Sequence, residues 1–350
     1  MMNGKVLSFG ELLLRICFDS DGKWLADNQL PFYIGGAECN VASALALWKV
    51  PSAYLTALPP NEITSQITGR LHDLNVTTDQ VIFRGERLGL YYLSKGKDLK
   101  NAAVIYDRAH SAFSGLKPGM IDWERVFEGV SWFHFSAICP AISESLADVC
   151  LEALQVASAK KIRISLDLNY RAKLWKYGQS PVDIMPQIAS YCHLIMGNIW
   201  AAETMLGVSI DPNLVNAGND ESLIRHAAYT SHEIMCRFPE CRVVANTFRL
   251  DQKVGIRYYS SIYSEGNLAV SKEYQAELIV DKVGSGDCFM AGLIYGFYNN
   301  LPLTDTVEFA TAAAFDKLFI EGDATTSEVE SINERMVTYG KERKSAANYN

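Results

Sequence analysis

Short apolar runs that alternate with longer amphipathic stretches restrict the fold of this chain more than any other feature. Val6–Phe9 reads as a strand, and Ala37–Lys49 as a helix opened by Gly35-Gly36. Tyr54–Leu58 reads as the next strand, followed by a helix over Ile63–Leu74. Further strands are expected at Trp132–Ala137, Ile162–Leu168, Leu194–Met196 and Arg242–Ala245. Between them, Glu144–Ala157, Val182–Tyr191 and Glu221–Met235 carry apolar residues at three- and four-residue spacing, the period of one helix face. Strands that alternate with helices build βαβ units, whose strands are apolar throughout because helices cover both faces of the sheet. The expectation is an α/β fold with a doubly wound, mostly parallel sheet. The 350 residues show no internal repeat, linker or low-complexity segment, so 1–350 reads as a single domain.

Two stretches break the alternation. Phe18–Ile34 follows the first strand with no evident helix, and Val81–Tyr106 alternates with the period of a strand, with a turn at 94–98. Insertions at 14–34 and 82–108 are expected to pair as a small β-sheet lid over the main domain, a common device for excluding water from a reaction. Exposed edges on such a lid favour a homodimer formed through the lids.

Charge and composition exclude several classes. A net charge of −8 argues against a nucleic-acid partner, which would require a basic face. There is no polybasic stretch for an anionic membrane and no apolar run approaching the roughly 20 residues that span a bilayer. Met1 to Ile16, interrupted by Glu11 and Arg15, lacks the layout of a secretory signal. The eight cysteines lie scattered, mostly within apolar runs, and read as reduced, buried thiols of a cytoplasmic protein. His232, Cys236 and Cys241 fit no standard zinc spacing.

Near the C-terminal end, Glu277–Val280 reads as a short strand, then come Gly284-Ser285-Gly286-Asp287 and a helix over Cys288–Tyr298. Glycines let the backbone approach a ligand, and the first N–H groups of a helix have no partner within it. They point at any anion placed there, and the helix dipole adds roughly 0.3–1 kcal/mol. A carboxylate beside such a hole would repel phosphate. It suits a general base that takes the proton of an attacking hydroxyl, worth roughly 10²–10⁴ in rate. The turn alone does not decide the matter, since an acidic residue in a first helical turn is common without chemistry. The pattern is neither a Walker A loop nor Gly-x-Gly-x-x-Gly.

A second motif supplies the context. Gly35-Gly36-Ala37-Glu38-Cys39-Asn40-Val41-Ala42 and Val283-Gly284-Ser285-Gly286-Asp287 resemble, in order and separation, the two signatures of the ribokinase-like (PfkB) carbohydrate kinases. The resemblance runs from about residue 4 to residue 335. It implies that Gly35, Gly36 and Asn40 touch sugar hydroxyls, that Gly284, Ser285 and Gly286 form an anion hole, and that Asp287 deprotonates the acceptor while ATP arrives with Mg²⁺. Within the family the chain is most similar to the 2-keto-3-deoxygluconate kinases, through Gly89-Leu90-Tyr91, Tyr106-Asp107-Arg108 and Asp167-Leu168-Asn169-Tyr170-Arg171. By that resemblance Gly36, Tyr91, Tyr106, Arg108 and Arg171 line a sugar-acid pocket. The chemistry agrees, because arginine suits planar, bidentate carboxylate binding.

The sequence also departs from the family. Ser285 replaces an alanine, which a backbone anion hole tolerates. Asn198 is present in the element associated with metal and phosphate, but Ala201 stands where a glutamate is expected. Glu203 lies two residues later, about 200° around a helix, and cannot replace it. Mg²⁺ is therefore expected to be held mainly through ATP phosphates and water. Asn246, Thr247 and Arg249, in a segment lacking the usual glycine, join Asn198, Gly284 and Gly286 as candidate ATP contacts. Ala310–Leu318 and Gly322-Asp323 are expected to flank adenine. The expected function is ATP-dependent phosphorylation of the 6-hydroxyl of 2-keto-3-deoxygluconate. A fructokinase or ribokinase type is the near alternative, and a non-catalytic sugar or nucleotide sensor, suggested only by Ala201, is the remote one.

Overall fold

Seven strands of the computed structural model, which describes residues 4–19, 21–94, 104–212 and 219–341, lie side by side and parallel. In spatial order they are Val76–Thr77, Ser52–Leu55, Lys5–Phe9, Val130–Ser136, Arg163–Asp167, Leu194–Gly197 and Val243–Asp251. Three antiparallel strands, Ile256–Ser264, Asn267–Val270 and Tyr274–Ala276, extend this sheet at one edge. The apolar runs read as strands are buried on both faces: Val6 and Trp132 pack into one core, Leu7 and Phe133 into the other. The first core rests on the helices Ala37–Leu47, Ser285–Tyr298 and Leu303–Asp316, the second on Glu144–Ala159, Pro181–Ala189 and Ile199–Leu206.

The chain leaves Lys5–Phe9 for the neighbour on one side, Ser52–Leu55, and later enters Val130–Ser136 on the other. The winding direction therefore reverses at Lys5–Phe9. In an open α/β sheet such a reversal leaves a crevice at the carboxyl ends of the strands, where ligands bind.

A separate four-stranded sheet has the order Phe32–Gly35, Leu13–Phe18, Gly89–Ser94, Ile105–Asp107. It is built from the two stretches that interrupt the alternation. Leu13–Phe18 and Gly89–Ser94 run parallel, with Arg15 opposite Tyr91, and both strands bury alternate residues. The first insertion also contains a short helix, Lys23–Asp27, not expected from the sequence. The turn expected at 94–98 lies, beyond Ser94, outside the described residues.

Two further expectations are corrected. Glu277–Val280 is not a strand: Leu278 is 83% exposed, and the N–H groups of Val280 and Asp281 both bond the Leu318 carbonyl instead of a sheet neighbour. The strand begun at 242–245 continues to Asp251, because Ile256–Ser264 folds back along its whole length.

Candidate active site

The two glycine motifs meet at the crevice. Gly36 precedes the helix Ala37–Leu47 with φ 125°, and a Cβ there would collide with the Glu11 carbonyl. Gly284 precedes the helix Ser285–Tyr298 with φ 78°, and a Cβ there would overlap the Asp323 carbonyl. Both positions need glycine for conformation and for space. Asn40 and Asp287, each in the opening turns of its helix, then face one another: the Asn40 amide donates to Asp287 Oδ2 at 2.7 Å.

A cavity of about 560 Å³ opens along the carboxyl ends of the central strands. Gly36, Asn40, Tyr91, Tyr106, Arg108, Arg171, Asn198, Thr247, Arg249 and the whole turn Gly284-Ser285-Gly286-Asp287 line it. Ser285 contributes backbone, since its hydroxyl is turned to the Ala314 carbonyl at 2.9 Å. Gly35 sits just behind this lining, packed against the Asp323 carboxylate.

Asn246 does not reach the cavity. Thr247 and Arg249 line it, and the two-residue period of the extended strand turns Asn246 to the opposite face, where its amide donates to Ser231 Oγ at 3.2 Å. The sequence assignment of Asn246 to ATP is thus corrected by the unforeseen length of this strand.

Asp287 faces the cavity but lies deep within it. Burial pushes its carboxyl up to about 7; the Asn40 hydrogen bond opposes this, Asp167 adds to it, Arg171 opposes it and Asp323 adds to it. A carboxylate poised near neutrality is suited to accept a proton from an alcohol and release it afterwards.

The two arginines differ. Arg108 is buried, and its Nε and Nη2 both lie 2.6 Å from Glu11 Oε2. Ser111 Oγ donates to the other Glu11 oxygen at 2.5 Å. Its charge is thus matched inside the protein. Arg171 donates to the Tyr170 carbonyl at 3.1 Å and has no carboxylate partner among the described residues.

At the other group of cavity residues, Asn198 Oδ1 accepts the N–H groups of Trp200 and Ala201, both at 3.0 Å, and so caps the helix Ile199–Leu206. Ala201 and, one turn on, Thr204 line the cavity, whereas Glu203 is exposed outside it. Lys282 also lines the cavity and pairs with Asp251 at 2.7 Å. Among the described residues there is no group of three or more His, Cys, Asp or Glu side chains able to hold a metal ion. Cys236, expected to be buried, is exposed with its Sγ 3.4 Å from His232 Nε2, while Cys241 is buried against the Val243 carbonyl.

Sequence reasoning missed Asp167, Asp323 and Lys282 as lining residues. Asp167 carried a readable signal, a carboxylate ending a buried strand. Asp323 carried none: it was expected beside adenine, yet its Oδ2 accepts from Tyr91 Oη at 2.6 Å, a partner 232 residues away.

The model of the pfkB family carbohydrate kinases matches residues 3–233 and 253–325 of the chain. The chain belongs to this family. The kinase accordingly transfers a phosphoryl group from ATP to a sugar hydroxyl. It is similar to the crystal structure of 2-dehydro-3-deoxygluconokinase from Thermotoga maritima, at 32% identity and a TM-score of 0.85, over 95% of this chain and 99% of that one. The 2-dehydro-3-deoxygalactonokinase of Haloferax volcanii is 26% identical over 334 residues, 95% of this chain and 97% of its own. A probable fructokinase of Arabidopsis thaliana is 25% identical over 310 residues, 87% of this chain and 72% of its own.

Proposed function

We propose that this kinase phosphorylates the 6-hydroxyl of 2-keto-3-deoxygluconate (2-dehydro-3-deoxygluconate). The observation that carries the reading is Arg171: a cation without a carboxylate partner among the described residues lines the same cavity as Asp287. A neutral sugar has no use for that charge, whereas a hexonate brings a carboxylate to it. The names of the Thermotoga and Haloferax relatives point to the same class of substrate. Arg108, already paired with Glu11, then acts as a donor to hydroxyl or keto oxygen together with Tyr106, while Tyr91, whose O–H is given to Asp323, can only accept from a sugar hydroxyl.

In the reaction, Asn40 orients the Asp287 carboxylate, which takes the proton of the 6-hydroxyl as its oxygen bonds the γ-phosphorus. The backbone N–H groups of Gly284, Ser285 and Gly286 receive the negative charge that spreads over the phosphoryl oxygens, and the bond to ADP breaks. Loss of one donor in such a hole costs about 3 kcal/mol. Asn198, whose Oδ1 is occupied by the helix cap, offers its amide NH₂ to phosphate; Thr247 and Arg249 offer a hydroxyl and a guanidinium from the neighbouring strand.

Magnesium belongs to the same reading. With Ala201 in place of a carboxylate, the cavity side chains fit an ion carried on nucleotide phosphates and water better than one caged by protein. Bound in that way it would neutralise phosphate charge. A homodimer through the small sheet is also part of the proposal, supported by Phe32 and Ile105, which stay largely exposed on its two edge strands. A cytoplasmic location is supported by eight cysteines that are all unpaired.

The test is an ADP-release assay across 2-keto-3-deoxygluconate, its galactonate epimer, fructose and ribose. The keto acids are expected to exceed fructose by at least about 100-fold in kcat/KM, the order expected when a partly buried guanidinium in the cavity is left without its carboxylate. Fructose outperforming both keto acids would contradict the reading.

A further inference from the structure

We propose that Arg15 is a positioning residue that makes docking of the small sheet and completion of the anion hole a single event. Arg15 is in the central strand Leu13–Phe18 of that sheet, opposite Tyr91 in register, and only 3% of its side chain is exposed. Its Nη2 lies 2.5 Å from Asp281 Oδ2 and its Nε 2.7 Å from Asp323 Oδ1. Tyr91 donates to the remaining oxygen of Asp323, so both central strands of the small sheet hold the same carboxylate.

These two acids touch the reaction centre through backbone. Asp281 Oδ1 accepts the Val283 N–H at 3.0 Å and Oδ2 accepts the Gly322 N–H at 3.3 Å, which ties the segment entering the Gly284 turn to the Gly322 turn. The Asp323 carbonyl packs where Gly284 would carry a Cβ, and its carboxylate packs where Gly35 would. Asp323 thus abuts the glycine of each motif, and Arg15 fixes Asp323 relative to Asp281.

Charge explains why a cation is needed there. Burial raises the proton affinity of Asp323, Arg15 counters this, and the nearby Asp281 adds to the rise. Lys317, the other buried cation close by, donates to the Ile320 carbonyl at 2.8 Å and offsets both carboxylates from a greater distance. Withdrawal of the small sheet would therefore remove the cation that contacts both carboxylates and leave them facing each other behind the anion hole with only the more distant charge of Lys317. The apolar cluster Leu13, Tyr91, Leu93, Val104 and Val283 already holds the sheet to the turn. A buried ion pair adds little net stability to such a contact; the fork from the two Arg15 Nη groups to both oxygens of Asp281 sets the register instead, and Asp323 is held beside it by charge rather than by a hydrogen bond.

The experiment compares Arg15→Met and Arg15→Lys with the native kinase, using the sugar that the native chain turns over fastest, so it does not depend on the sugar-acid reading. Arg15→Met is expected to lower kcat about 30- to 100-fold with the sugar KM changed less than about threefold, as for a misplaced transition-state contact. Arg15→Lys should recover part of that loss. The double variant Arg15→Met with Asp281→Asn should be no slower than Arg15→Met alone. A kcat within twofold of native for Arg15→Met, a rise in KM at constant kcat, or multiplicative losses in the double variant would each overturn the proposal. If Arg15→Met does not fold, Arg15→Lys decides: a lower kcat at an unchanged thermal midpoint supports the positioning role, and native kcat refutes it.

Discussion

Asp287 and Asn40 come from opposite ends of the chain and share one 2.7 Å hydrogen bond. That bond favours the charged carboxylate, while burial favours the proton, and the balance places Asp287 at about 7. A base must be ionised to act, so kcat/KM is expected to fall as pH drops below about 7. Asn40→Ala removes a group that lowers the Asp287 value, so the acid limb of the profile should move to higher pH, with a loss of at least about tenfold at pH 6.5. An acid limb that stays put or moves down in Asn40→Ala would show that Asp287 is not the titrating base. Both residues were legible in the sequence because each lies in a short motif with fixed spacing. Arg108 was read correctly as lining the cavity, but its pairing with Glu11, 97 residues away, left no trace in the sequence; Asn246 was misassigned because its side-chain direction is set by a strand longer than its apolar run.

At the scale of elements, the helices were legible from their three- and four-residue periods, and the sheet strands from unbroken apolar runs. Glu277–Val280 shows the limit of that signal, because a run of four residues does not by itself reveal whether a neighbouring strand is there to pair with it. The Gly284 turn is the element on which the chemistry rests most narrowly. Gly284→Ala puts a Cβ onto the Asp323 carbonyl at positive φ, a strain of about 1–3 kcal/mol before any overlap is relieved. Its expected outcome is a kcat lowered at least about 100-fold, with a thermal midpoint lowered by several degrees, measured by steady-state kinetics and calorimetry. Native kcat in a folded Gly284→Ala protein would mean that the turn is not the anion hole.

For the whole molecule, the order of strands follows from the alternation of strand and helix, and the position of the cavity follows from the reversal of winding at Lys5–Phe9. The small sheet was legible as a break in that alternation, but its union with the Gly284 turn through Arg15, Asp281 and Asp323 was not, because ion pairs between distant segments leave no periodic trace. The central claim is that one cavity joins a base, an anion hole and a cation for a sugar-acid carboxylate. The most direct measurement is kcat/KM of Arg171→Gln for 2-keto-3-deoxygluconate and for fructose, taken at about pH 8.5 so that Asp287, whose value Arg171 also lowers, stays ionised in both proteins. A loss of about 100-fold or more for the keto acid, with fructose turnover within about threefold of native, is the result expected when a carboxylate loses its guanidinium partner. Equal losses for both sugars, or no loss for the keto acid, would contradict it.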